Sequence, residues 1–292
     1  MRKVDVLRAA ALAVAIAAGA AAASAQTGAS QAEQWNRPVA PYRIAGPVHY
    51  VGVEGIGVYL ITTPRGHILV DGGLKDTAPR VLASIEALGL KPRDVKYLLI
   101  THAHFDHAGG LAALKAATGA KLVAIAEERE ALEGGRHIGD NENGEGRFAP
   151  IKVDRVVRDG DTLSLGGLTL KAHLTPGHTR GCTSWTLPLV DAGKRHEAIF
   201  YCSTTVAGNV LVGNRAYPEI VADYRRAFAR LKRIRADIFL PNHPGFGRLA
   251  EKRAAVGKGG ANPFVDAGEL ARFVLASEKD FETELKRQEG RR

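Results

Sequence analysis

The sequence predicts an α+β fold in which two mixed sheets pack face to face with helices outside. Three observations carry that expectation. Short strand-like runs come in two groups, and each group is followed by segments with helical periodicity. The chain has 292 residues, 45% hydrophobic and 24% charged, a globular balance that allows a sizeable core and excludes wholesale disorder, collagen and low-complexity repeats. No interior stretch has a linker's composition, so residues 26–292 read as a single domain.

The elements follow in order. Val48–Val53 and Gly57–Thr62 read as strands around the hairpin signal Glu54-Gly55-Ile56, and His67–Asp71 is a third strand, ended by Gly72-Gly73. Thr77–Leu88 has apolar residues spaced by three and four and stops at Gly89, so it is a helix. Tyr97–Thr101 is an apolar strand, Ala108–Ala117 a helix and Lys121–Ala126 a strand. Gly134–Pro150 is rich in Gly and Asn without periodicity, hence a long loop of the kind that often carries binding. Val153–Val157, Thr162–Leu165, Thr169–His173, Thr183–Leu187 and Ala198–Cys202 are short strands. Glu219–Ile234 is an amphipathic helix and Asp237–Leu240 a last strand. Asp266–Arg287 is a closing helix, with Asp266 and Glu269 as a capping box and Leu270, Phe273, Val274, Phe281 and Leu285 as its inner stripe.

The first residues read as a targeting segment. Arg2, Lys3 and Arg8 precede an apolar run from Ala9 to Ala23, which closes on the small-x-small site Ala23-Ser24-Ala25. Residues 1–25 are therefore expected to be a cleaved signal peptide, since the run is short for a membrane span and a polar segment follows it. The mature chain is expected to be periplasmic, with no stable membrane anchor. Export permits disulfides, and Cys182 and Cys202, each in a strand-like run, can pair, closing a loop worth roughly 3 kcal/mol. Two buried free thiols are the alternative. The formal charge of +9 comes from scattered Lys and Arg without aromatic-interleaved patches, which excludes a nucleic-acid partner and leaves a basic surface.

Ten His against two Cys point to imidazole and carboxylate rather than thiolate as metal donors. The strongest signal is Thr101-His102-Ala103-His104-Phe105-Asp106-His107, directly after a buried strand. His102 and His104 are two apart, so on an extended backbone they face one side and can reach one ion. Asp106 and His107 follow where the chain turns into a helix and can point to a second. A strand's carboxyl end puts them at the sheet rim, open to substrate. A His-rich surface loop would not need the hydrophobic strand upstream. His178 in Thr175-Pro176-Gly177-His178-Thr179 and His243 in Leu240-Pro241-Asn242-His243-Pro244 sit in rigid turns at strand ends and complete two sets: His102, His104 and His178 for the first ion, and Asp106, His107 and His243 for the second. Three neutral imidazoles on zinc leave a position for water, whose pKa falls to about 7. A hydroxide bridging two cations would attack a carbonyl or phosphoryl centre, which is hydrolase chemistry without Ser or Cys as nucleophile.

These motifs resemble the metallo-β-lactamase superfamily, over nearly all of the mature chain. The resemblance implies a four-layer αββα sandwich. Asp71 in Val70-Asp71-Gly72-Gly73 matches the superfamily's strand-end Asp behind the metals, an ordinary turn-forming Asp being the alternative. Superfamily thioesterases, lactonases and phosphodiesterases usually carry a metal-bridging Asp near the end of the strand that here reads Phe200-Tyr201-Cys202-Ser203-Thr204-Thr205, and this chain has none there. Class B lactamases have Cys or Ser instead, and subclass 3 has Ser, the place of Ser203. The segments Thr175–Trp185 and Leu211–Pro218 also look like subclass 3, some of whose members pair Cys at the positions of Cys182 and Cys202.

The resemblance therefore implies a two-zinc β-lactamase acting on penicillins, cephalosporins and carbapenems as a monomer, with antibiotic resistance as the consequence. Hydroxide attacks the ring carbonyl, the second zinc stabilises the departing nitrogen, Asp106 orients the hydroxide or carries a proton, and hydroxyls at Ser203 and Thr205 contact the substrate carboxylate. Many members have Ser where Thr205 stands. The 134–150 loop, with His137, would flank the pocket, whereas His49, His67, His173 and His196 read as structural or surface residues. A lactonase or thioesterase on the same fold, and a non-catalytic metal-binding envelope protein, are the alternatives.

Overall fold

A computed structural model describes residues 30–291 apart from residue 145, so the expected signal peptide lies outside the described residues. The first sheet holds β1 (Tyr42–Ala45), β2 (Val48–Tyr50), β3 (Tyr59–Thr63), β4 (Gly66–Val70), β5 (Val95–Leu99), β6 (Lys121–Ile125) and β7 (Arg155–Val157), side by side in chain order. It is antiparallel from β1 to β4 and parallel from β4 to β7. The second sheet runs β12 (Ile238–Pro241), β11 (Lys194–Tyr201), β10 (Thr183–Asp191), β9 (Leu168–Leu174), β8 (Thr162–Leu165), antiparallel except for the parallel pair β11–β12. Both sheets are mixed.

Three apolar clusters make the layers. Tyr50, Tyr59, Leu99, Trp185 and Phe200 belong to the cluster between the sheets. On the outer face of the first sheet lie α2 (Ala78–Ala87), α4 (Leu111–Thr118) and α5 (Arg129–Gly134), through Val81, Ile85, Leu111, Leu114 and Leu132. On the outer face of the second lie α6 (Ile220–Leu231) and α8 (Glu269–Glu289), through Tyr224, Phe228, Val274 and Phe281. The order is αββα. It explains why the end of β5 reads as apolar: Leu99 faces the inner cluster and Leu98 the outer one, while Lys96 near its start stays exposed.

Where the structure departs from the sequence reading, the reasons are local. The predicted helix over 108–117 is two pieces, α3 (Phe105–Ala108) and α4, broken at Gly109-Gly110. A Cβ on Gly110 would stand 2.2 Å from the Gly72 carbonyl oxygen, so only glycine allows this junction to press against the end of β4. Gly72 N donates to the His107 carbonyl and Gly110 N to the Gly73 carbonyl, which anchors α3, the carrier of Asp106 and His107. The closing helix starts at Glu269, not Asp266, and the expected capping box does not form. Asp266 N donates to the Asp237 carbonyl, while the Glu269 carboxylate pairs with Lys252. The Asp266 side chain instead accepts from Gly268 N at 2.9 Å. α6 ends at Leu231 rather than Ile234. The sequence reading leaves out four short elements: α1 (Gln31–Trp35), α5, α7 (Leu249–Ala255) and the edge strand β1.

Cys182 and Cys202 form a disulfide, joining the start of β10 to the exit of β11. Among the described residues, no helix is long and apolar enough to cross a membrane.

Candidate metal centre

The site lies at the strand ends of both sheets. β5 delivers His102 and His104 on an extended exit, and α3 follows with Asp106 and His107. The β9–β10 turn supplies His178, and the segment after β12 supplies His243. All of the six expected donors come together. His102, His104 and His178 form one group, and His102, Asp106 and His107 a second, whose potential ligand atoms lie within 4.8 Å of one another. His243 joins the second set, its Nε2 standing 3.4 Å from the Asp106 carboxylate and 3.4 Å from His107 Nε2.

Hydrogen bonding fixes which nitrogen is free in three of the rings. His178 Nδ1 lies 2.7 Å from the Thr205 carbonyl and His243 Nδ1 lies 3.0 Å from the Gly55 carbonyl. A carbonyl only accepts, so both rings carry their proton on Nδ1 and leave Nε2 as a lone pair. Thr101 gives its hydroxyl proton to Asp71 at 2.8 Å, so it accepts from His102 Nδ1 at 3.1 Å, which again frees Nε2. His107 Nδ1 faces Asp71 at 3.4 Å, and its Nε2 faces the Asp106 carboxylate at 3.3 Å. The lone pairs of His102, His178 and His243 and the Asp106 carboxylate thus converge in a buried space, the arrangement of a cation site.

The electrostatics agree. Burial, reinforced by neighbouring imidazoles, holds His102 and His104 well below the usual imidazole range. Burial brings His178 down to about 3, and burial with the His107 charge brings His243 to about 4, so these rings are neutral and ready to ligate at neutral pH. His107 is the exception. Burial pushes it down, but Asp106 and Asp71 outweigh that and raise it to about 10. Asp106, although burial opposes it, is held far below the usual carboxylate range by His107. Two carboxylates around one imidazole demand positive charge, and a divalent cation meets the demand that a proton on His107 otherwise meets.

Asp71 follows β4 in a left-handed conformation, φ 65°, and both of its oxygens accept from Thr101. It therefore orients His107 and, through Thr101, His102. Ser203 and Thr205 lie beyond β11, their hydroxyls 3.1 Å apart, with Ser203 buried and Thr205 partly exposed. The Cys202 side chain is committed to the disulfide. His137 is closer in than a pocket flank, its Nδ1 lying 2.7 Å from His104 Nε2. His49, His67, His173 and His196 lie elsewhere, against Pro47, Thr63, Thr186 and Asp237.

Sequence reasoning missed Glu128, a buried carboxylate behind the donors, and Trp35, whose ring centroid is 5.3 Å from that of His243. Glu128 sits in the run Glu127-Glu128-Arg129-Glu130, which looks like a solvated helix face, and no local signal marks it.

The family model described as the metallo-beta-lactamase superfamily matches residues 51–243. Among solved structures, the chain is similar to BJP-1, a subclass B3 metallo-β-lactamase of Bradyrhizobium japonicum. The identity is 42%, 88% of this chain and 98% of that one are covered, and the TM-score is 0.85. It is also similar to the FEZ-1 metallo-β-lactamase from Legionella gormanii, with 42% identity, 87% of this chain and 98% of that one, and a TM-score of 0.82. A hydroxyacylglutathione hydrolase of Maricaulis maris (strain MCS10) is 37% identical over 89 residues, 30% of this chain and 28% of that protein. A probable metallo-hydrolase of Burkholderia pseudomallei (strain 1710b) is 33% identical over 131 residues, 42% of this chain and 40% of that protein. The chain spans less than half the length of these two curated relatives.

Proposed function

The chain belongs to the metallo-β-lactamase superfamily, and within it we propose that the protein is a zinc-dependent hydrolase of the subclass 3 kind, opening the β-lactam ring of penicillins, cephalosporins and carbapenems. His102, His104 and His178 would hold one zinc, and Asp106, His107 and His243 a second. Bound zinc supplies a water acidified to near neutrality and a Lewis acid for the amide. The chain's own groups do the rest. Asp106 is ionised at neutral pH, so it can accept an O–H from the attacking water, fix its direction and pass a proton to the departing amide nitrogen. The Thr205 and Ser203 hydroxyls can donate to the substrate carboxylate, Thr205 being the more accessible. A pocket of about 240 Å³, lined by Leu74, Phe105, Phe148 and Asn36 among others, lies beside α3 and offers room for an apolar substituent.

The observation that carries the β-lactam reading is Ser203. The exit of β11, tied to His178 through the Thr205 carbonyl, carries hydroxyls where a metal-bridging carboxylate would favour lactone or thioester chemistry. The likeness to a hydroxyacylglutathione hydrolase favours thioesters as the second reading. Nitrocefin, a homoserine lactone and a glutathione thioester assayed side by side separate them. Nitrocefin is expected to turn over fastest, with activity lost on chelation and regained with zinc. Faster lactone or thioester turnover overturns the β-lactam assignment, and activity indifferent to metal stripping overturns zinc catalysis.

Residues 1–25 are further proposed to direct export to the periplasm, which is consistent with the Cys182–Cys202 disulfide.

A further inference from the structure

Glu128 has no part in the reaction proposed above, yet it is buried behind the donors. It sits in a turn of 3-10 helix over Ala126–Glu128, after β6, and its two oxygens are divided between two segments. Oε2 accepts from Ala103 N at 3.2 Å, the peptide between His102 and His104. Oε1 accepts from Gly181 N at 3.2 Å and from the Thr179 hydroxyl in a short contact, both just past His178. A Cβ on Gly181 would stand 2.5 Å from Glu128 Cγ, so the turn comes this near only because residue 181 is glycine. A buried carboxylate whose donors are one hydroxyl and two backbone amides is costly to keep, and apolar packing would fill the space more cheaply.

We propose that Glu128 is a positioning residue for the first metal site, one carboxylate clamping the His102–His104 segment to the His178 turn so that three imidazoles are set before any cation arrives. The clamp brings together segments that are 74 residues apart at their nearest ligands, His104 and His178, and lie on different sheets. Burial raises the Glu128 carboxyl to about 7, so the clamp rests on its three hydrogen bonds rather than on its charge. His137 extends the same support by holding the ring of His104.

This inference rests on the metal reading above, and the test keeps the two apart. Zinc affinity of the full chain is measured by competition with a chromogenic chelator, and cobalt-substituted protein is compared by visible absorption. Glu128→Gln keeps the volume but turns an amide NH₂ toward one set of donors. It is expected to weaken zinc binding 10–100-fold and to alter the cobalt spectrum. Thr179→Val, which removes one donor, is expected to shift both in the same direction by less. Folded Glu128→Gln protein with zinc affinity within twofold of the wild type overturns the proposal. Should that variant not fold, Thr179→Val decides, and affinity unchanged within twofold overturns it. A wild-type chain that takes up no zinc overturns the metal reading itself, and this inference with it.

Discussion

The Nε2 atoms of His102 and His178 stand 3.1 Å apart, and neither carries a proton to share. Each ring spends its proton on the opposite side, at Thr101 and at the Thr205 carbonyl. Two lone pairs aimed at each other across a buried gap repel, and a cation between them would turn that repulsion into two bonds.

Zinc is therefore expected to stabilise the fold strongly. At free zinc a thousand times the Kd, the gain is about 4 kcal/mol. His178→Ala should abolish most of that response and lower turnover by orders of magnitude while the metal-free protein melts near the wild-type temperature. Melting curves with and without chelator, beside metal content and kinetics, check it, and a full zinc response in the variant removes His178 from the ligand set.

Asp71→Asn tests the support behind His107. The position needs a residue that tolerates φ 65°, which Asn does. The amide has one oxygen where Asp71 uses two, one for Thr101 N at 2.7 Å and one for Thr101 Oγ1 at 2.8 Å, and it carries no charge to balance His107. Zinc affinity should fall 10–100-fold, with chelator competition as the measurement.

The disulfide closes a loop of 20-residue separation. Replacing Cys182 and Cys202 together with Ser should cost roughly 3 kcal/mol, read as a lower urea midpoint with a somewhat steeper slope, because the unlinked unfolded chain exposes more surface. Because Cys182 follows the His178 turn by four residues, zinc affinity should fall as well.

His173 governs part of the acid limb. Burial, with Arg230 and Lys171 nearby, lowers it from 6.5 to about 4. Between those values the unfolded chain holds a proton that the native protein refuses, so stability rises with pH across the window and is lost as pH falls from about 6.5 to about 4. His173→Gln retains a partner for Thr186 and removes the titration. Urea midpoints at pH 7.5 and pH 4.5 should then differ less in the variant than in the wild type, and equal differences would clear His173 of the effect.

The fold was legible wherever one physical signal dominated. The apolar strand β5 and the motif that follows it were readable because burial on both faces and ligand chemistry each restrict composition. Asp71 was legible only through the resemblance of Val70-Asp71-Gly72-Gly73 to the superfamily's strand-end motif, since a turn before Gly-Gly accounts for an Asp equally well. The break between α3 and α4 was hidden, because the tight approach of Gly110 to Gly72 is a fact of tertiary packing. The capping box failed since the Asp266 backbone was drawn to Asp237 across the chain. Glu128 was invisible for the same reason: its three partners lie 25, 51 and 53 residues away.

The donors divide between the layers, four leaving the first sheet and two the second. Each half alone owns an incomplete coordination sphere, so a bound ion works as a rivet through the seam of the sandwich. Stripping it should loosen the rim first, with faster amide exchange at the strand exits than in the aromatic middle around Trp185, and a chain cleaved between the halves would have its pieces held partly by metal.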